Sequence, residues 1–123
     1  MSLQDGEQRH LSCFCSLSIE READEVLIML AGELDLSCED AMRAEVARVT
    51  ESCPHAVVVD LGDVTFIDSR GLTMLLDLAS ASHRDGFELT LIVADRQVRN
   101  SIRITGLDRL LPLAEPLGEE VGR

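Results

Sequence analysis

Ala56-Val57-Val58-Val59-Asp60-Leu61-Gly62-Asp63-Val64-Thr65-Phe66-Ile67-Asp68-Ser69-Arg70-Gly71-Leu72 is the stretch that decides the fold. It opens just after Pro54 with a β-branched run, Ala56 to Val59, which reads as a fully buried strand. Gly62 to Ile67 leads out of that strand to Asp68-Ser69, where a helix begins. Leu72, Leu75, Leu76 and Ala79 recur at helical spacing as its apolar face, and Gly86 marks its end.

The same alternation extends in both directions. Upstream, Leu11 to Ile19 mostly alternates apolar and polar residues, and Val26-Leu27-Ile28-Met29-Leu30 is a continuous apolar run. The acidic patch from Glu20 to Glu25 between them reads as a hairpin-like turn, so the two strands are expected to be antiparallel. After Gly32-Glu33-Leu34-Asp35-Leu36, Ser37 offers an N-cap, with Asp40 three residues on as an approximate capping box. Met42, Val46 and Val49 then carry an amphipathic helix to about Ser52. Downstream, Leu89 to Val93 reads as a strand, and Val98 and Ile102 mark a third helix stopped by Gly106. Leu107 to Leu113 reads as a last short strand. Strands alternating with helices imply βαβ units and a largely parallel, right-handed sheet. The 123 residues fit one domain, with its core over residues 11–113 and flexible tails over 1–10 and 114–123.

Composition narrows the function. The 46% hydrophobic fraction suffices for a core, but with no Trp or Tyr and three Phe that core is aliphatic. A net charge of −12 repels phosphate backbones and anionic lipid, and the scarcity of aromatics removes base-stacking platforms. Neither nucleic acid nor membrane is an expected partner. All eleven cations are Arg, which excludes a Walker A loop, a Schiff-base enzyme and a lysine general base. Cys13, Cys15, Cys38 and Cys53 lack zinc-ribbon spacing, and Cys13-Phe14-Cys15 is not a C-x-x-C pair; its cysteines share one strand face as small hydrophobes. With His10, His55 and His83 scattered, no metal and no cofactor is expected. No signal peptide or transmembrane-length apolar run is visible, so the expected setting is the cytoplasm.

No catalytic residue is expected either. A hydrolase nucleophile elbow at Ser69 needs a small residue two positions before it, where Ile67 stands. A response-regulator receiver domain has Asp60 in a suitable place but requires a lysine that this chain lacks. What remains is Ser69 as a helix N-cap open to modification: a phosphoryl group at a helix N-terminus adds about −1.5 to −2 charge and is locally well tolerated. On these residues alone, a plain helix cap is the favoured reading of Ser69.

Taken together, the segments resemble the STAS domain, in particular the stand-alone bacterial anti-sigma-factor antagonists. The resemblance runs from about Leu27 to Leu113. It is carried by Gly32-Glu33-Leu34-Asp35, Val58-Val59-Asp60-Leu61, Val64 to Leu72, Val98-Arg99 and Thr105-Gly106-Leu107-Asp108, in that order. It implies a STAS-type α/β fold, with a mixed, mainly parallel sheet of about five strands and helices mostly on one side. It also implies a non-enzymatic switch. The unphosphorylated protein binds an anti-sigma factor that is also a serine kinase, which releases a sigma factor. Phosphorylation separates the complex, and a phosphoserine phosphatase resets it. By resemblance Ser69 is the phosphoacceptor, and Asp35, Asp68, Ser69, Arg70, Gly71, Leu72 and Thr73 form the partner-binding surface. Arg70 stands where the family often has a second serine, and Thr73 where it often has a glycine, which bears on which kinase recognises the protein. The alternative is a STAS scaffold or ligand-sensing subunit with a nucleotide or lipid-transport partner, free of kinase control. Arg96, Arg99 and Arg103 form a basic stripe on the third helix, read as a solvated face.

Overall fold

The computed structural model describes residues 6–12, 15–35, 38–109 and 113–114. Strands β1 (Gly6–Ser12), β2 (Cys15–Glu22) and β3 (Glu25–Leu34) precede helix α1 (Glu39–Glu51). Then follow β4 (Ala56–Ile67), α2 (Ser69–Asp85), β5 (Glu88–Ile92), α3 (Arg96–Ile104) and the short β6 (Leu113–Ala114). The six strands of the described residues lie in one sheet in chain order. β1–β2 and β2–β3 are antiparallel, and the other three pairings are parallel.

The sheet has one strand more than the five expected. The extra strand, β1, takes in residues 6–10, which the sequence pattern places in a tail. Gly6-Glu7-Gln8-Arg9-His10 contains no apolar residue to alternate, so it signals nothing in sequence; it is an edge strand, paired in register from Gly6–Glu20 to His10–Ser16. The rest of the two expected tails lies outside the described residues, apart from Ala114 in β6. The last strand is shorter than Leu107–Leu113: Leu107–Arg109 is a 3-10 turn, begun after Gly106 at φ 79° and closed by the Arg109 N–H donating to the Gly106 carbonyl.

Register explains the core. Val26, Val57 and Leu89 form one row across β3, β4 and β5, and Ile28, Val59 and Leu91 the next, continued by Ile19 on β2. All of these side chains are buried. Met42 and Val46 of α1 and Met74, Leu75 and Leu78 of α2 close over this face around Leu17, Leu30 and Val59. Glu45, the buried charged residue among those described, keeps its carboxylate on Arg48 at 2.9 Å. On the opposite face Leu27, Met29, Val58 and Ile92 are half-buried.

Gly62 to Ile67, expected as the exit from a short strand, belongs to β4. Between Met29 and Ala31 the partner strand advances from Asp60 to Asp63, and between Gly32 and Glu33 it advances from Val64 to Phe66. β4 therefore absorbs two extra residues as bulges while staying paired to β3. The bulges turn an alternating pattern into buried positions at Leu61, Val64 and Ile67, a spacing of three that reads as no strand at all. At the first bulge the Gly62 amide donates to Asp60 Oδ1 at 2.8 Å. Beyond Asp60, β4 has left β5, and α3 packs alongside it.

Candidate functional site

The parallel pair β3–β4 ends with both strands delivering their next residues to one place. The Asp68 amide donates to the Leu34 carbonyl at 3.1 Å, which brings Asp35 beside the start of α2. Asp68 is extended (φ −107°, ψ −171°), and its Oδ1 accepts from the Arg70 and Gly71 amides at 2.9 and 3.1 Å. The N-cap is thus Asp68 and not Ser69. Both residue types cap well; the Leu34 contact decides, because it holds Asp68 in the non-helical geometry that a cap requires. Ser69 becomes the first helical residue, exposed, with its hydroxyl outside the capping pair. Its carbonyl accepts from Thr73 Oγ1 at 2.9 Å.

Gly71 is required by close approach. A Cβ there would stand 2.6 Å from Ile67 Cγ1 and 2.8 Å from the Leu34 carbonyl oxygen. Of the seven residues expected at the partner surface, Ser69, Arg70 and Thr73 are exposed, and Asp35 and Asp68 are half-buried. Gly71 and Leu72 are buried, so they shape the surface without presenting it. Next to them, Thr65 and Phe66 face Gln97, Ser101 and Ile104 of α3 across an open groove, with Phe66 47% and Ile104 84% exposed.

Sequence reasoning did not find the cluster behind Arg70. Arg70 Nη1 donates to both carboxylate oxygens of Glu39, at 3.2 and 3.3 Å. Arg43 Nη2 donates to Glu39 Oε2 at 2.7 Å, and Arg43 Nη1 to Asp77 Oδ2 at 3.3 Å. The Glu39–Arg43 spacing of four was a visible signal; the contacts across to α2 were not, since they join residues 31 and 34 apart. These carboxylates also hold the Arg43 guanidinium more firmly protonated than usual, chiefly through the Glu39 hydrogen bond.

α1 is capped one residue later than the expected Ser37. Its N-cap is Cys38, whose side chain caps nothing; its amide and Sγ both donate to the Asp35 carbonyl, at 3.1 and 3.3 Å. Ser37 lies outside the described residues. Cys38 adjoins Cys15, and burial, reinforced by Cys38 and Asp35, pushes the Cys15 thiol up to about 12. Cys15 and Cys38 are free and buried, and Cys53 is free and exposed; Cys13 lies outside the described residues. Among the described residues no group of three or more His, Cys, Asp or Glu could hold a metal ion. No described helix is long and apolar enough to cross a membrane. In the Arg stripe of α3, Arg99 Nη2 reaches back to the Val93 carbonyl at 2.8 Å and Arg103 to Asn100 Oδ1 at 2.8 Å, while Arg96 is exposed.

Known proteins share this fold. The anti-sigma-F factor antagonist RsfB of Mycobacterium tuberculosis is 31% identical over 93 residues, which are 74% of this chain and 74% of the relative. The crystal structure of an anti-sigma factor antagonist from Mycobacterium paratuberculosis superposes with a TM-score of 0.74 at 24% identity, over 88% of this chain and 92% of that one. The phosphorylated form of the Bacillus cell fate determinant SpoIIAA superposes with a TM-score of 0.66 at 20% identity, over 85% and 95% of the two chains. The profile of the STAS domain family matches residues 16–120, and the chain belongs to that family.

Proposed function

We propose that this protein is an anti-sigma-factor antagonist: a binding module, not an enzyme, whose unphosphorylated form holds an anti-sigma factor with serine kinase activity and so frees a sigma factor. Phosphorylation of Ser69 ends that binding, and a phosphoserine phosphatase restores it. The setting is the cytoplasm.

The observation that carries this reading is the position of Ser69. It is the exposed first residue of α2, and the neighbouring Asp68 has taken over the capping of that helix. Its hydroxyl can therefore be modified without unmaking the helix start. In the transfer, Ser69 Oγ attacks the γ-phosphorus of ATP, the new O–P bond replaces the bond to ADP, and the hydroxyl proton passes to a base of the kinase. The added charge of about −1.5 to −2 stands among Asp35, Asp68 and Glu39, on the surface that Ser69, Arg70 and Thr73 present to the partner. A partner fitted to a neutral serine there meets a doubly charged, larger group and separates. The 31% identity to an anti-sigma-F factor antagonist supports the partner class, and the SpoIIAA structure supports a fold compatible with phosphorylation.

The test is incubation with the cognate anti-sigma kinase and ATP, read by intact-mass spectrometry. One phosphoryl group is expected on the wild type and none on Ser69→Ala. An unmodified wild type, or equal phosphate on Ser69→Ala, defeats the assignment.

A further inference from the structure

We propose that Arg70 is the intramolecular counter-ion of a phosphate on Ser69, released to it by Glu39, which Arg43 goes on holding. This deepens the phosphoacceptor reading and rests on it.

A phosphate on Ser69 arrives where the second and third backbone amides of α2 are already engaged, because Arg70 N–H and Gly71 N–H both donate to Asp68 Oδ1. Its surroundings are acidic: Asp68 precedes it, and Asp35 follows the Leu34 carbonyl that binds the Asp68 amide. Among the described residues the cations of this corner are Arg70 and Arg43, and they are held differently. Arg43 bonds two carboxylates, Glu39 at 2.7 Å and Asp77 at 3.3 Å. Arg70 bonds Glu39 alone among the described residues, through the longer 3.2 and 3.3 Å contacts and with Nη1 only. Its side chain is half exposed, at 54%, and because Nη1 carries both Glu39 contacts, Nε and Nη2 remain for a second acceptor.

Exchange is permitted because Glu39 is shared. Its side chain is only 14% exposed, so leaving it without a partner would be costly, but the shorter Arg43 bond stays when Arg70 departs. A phosphate dianion also outcompetes a carboxylate for a guanidinium, through higher charge and a bidentate geometry that matches the planar fork. The consequence for the surface is specific. Phosphorylation both adds charge at Ser69 and turns an arginine away from α1, so the partner loses the guanidinium position as well as the free hydroxyl.

The experiment installs phosphoserine at position 69 by amber-codon suppression, without any kinase, and titrates it by phosphorus NMR. The second phosphate pKa, ordinarily near 6, is expected to be about half a unit higher in Arg70→Gln than in the otherwise wild-type phosphoprotein. A rise below about 0.2 unit, or a larger rise in Arg43→Gln than in Arg70→Gln, overturns the proposal. The release by Glu39 is read from a double-mutant cycle of Arg70→Gln and Glu39→Gln on the unfolding midpoint. Coupling is expected in the unmodified chain and not in the phosphorylated one; coupling that persists after phosphorylation overturns the exchange. Failure of the phosphoacceptor reading itself registers elsewhere, as a kinase assay that leaves Ser69 unmodified.

Discussion

Cys15 and Gly71 show how differently single residues declare themselves. Gly71 was legible as part of a motif, but its reason is tertiary: the Leu34 carbonyl and the Ile67 side chain occupy the space a Cβ needs. Cys15 was legible as a small buried hydrophobe; its neighbour Cys38, 23 positions on, was not, because nothing local joins the start of β2 to the start of α1. That environment has a measurable consequence. The Cys15 thiol rises from its ordinary 9.0 to about 12 in the folded protein. Below pH 9 both folded and unfolded chains carry the neutral thiol. Above it the unfolded chain releases the proton while the folded one keeps it, so stability is lost between pH 9 and 12, by about 1.4 kcal/mol per pH unit at most. The chain contains no Lys and no Tyr to titrate in that window. Urea denaturation at pH 8 and pH 10.5 is expected to show a steeper loss in wild type than in Cys15→Ala, by about 2 kcal/mol. Equal slopes would refute the raised thiol.

At the scale of elements, α2 was read with the right extent but the wrong first residue. Asp68-Ser69 contains two good caps in succession, and local preference does not choose between them. The choice comes from β3, through the bond between the Leu34 carbonyl and the Asp68 amide. β4 shows the same dependence: its C-terminal half is a strand only because β3 holds it through two bulges. The cap itself is testable. Asp68→Ala removes the acceptor of two backbone amides and is expected to cost about 1–2 kcal/mol in urea denaturation, whereas Asp68→Asn keeps an oxygen in place and costs a few tenths. Equal losses in the two variants would show that the carboxylate charge, not the cap geometry, is what the site uses.

For the molecule as a whole, the alternation of strands and helices was legible because each apolar run faces a single buried side of the sheet. Residues 6–10 of edge strand β1 were not, since they contain no apolar residue to alternate. Charge is the other molecular property the sequence states outright, and it makes a prediction the fold can answer. At −12 the chain repels itself, and folding concentrates that repulsion. The opposing ion pairs Arg43–Asp77 and Arg84–Asp85 are exposed, and exposed pairs of this kind are individually weak. Salt acts unequally on the two terms. The screening length falls from about 30 Å at 0.01 M to about 10 Å at 0.1 M, which removes long-range repulsion first and barely touches contacts of 2.7–3.3 Å. Repulsion therefore governs the response, and the thermal midpoint is expected to rise by about 3 °C or more between 0.01 M and 0.3 M NaCl. A phosphate on Ser69 adds to the same repulsion, so the phosphorylated chain should melt lower at low salt, with the difference narrowing as salt is added. Scanning calorimetry of both forms checks this, and a midpoint that stays flat or falls with salt would mean the ion pairs outweigh the net charge.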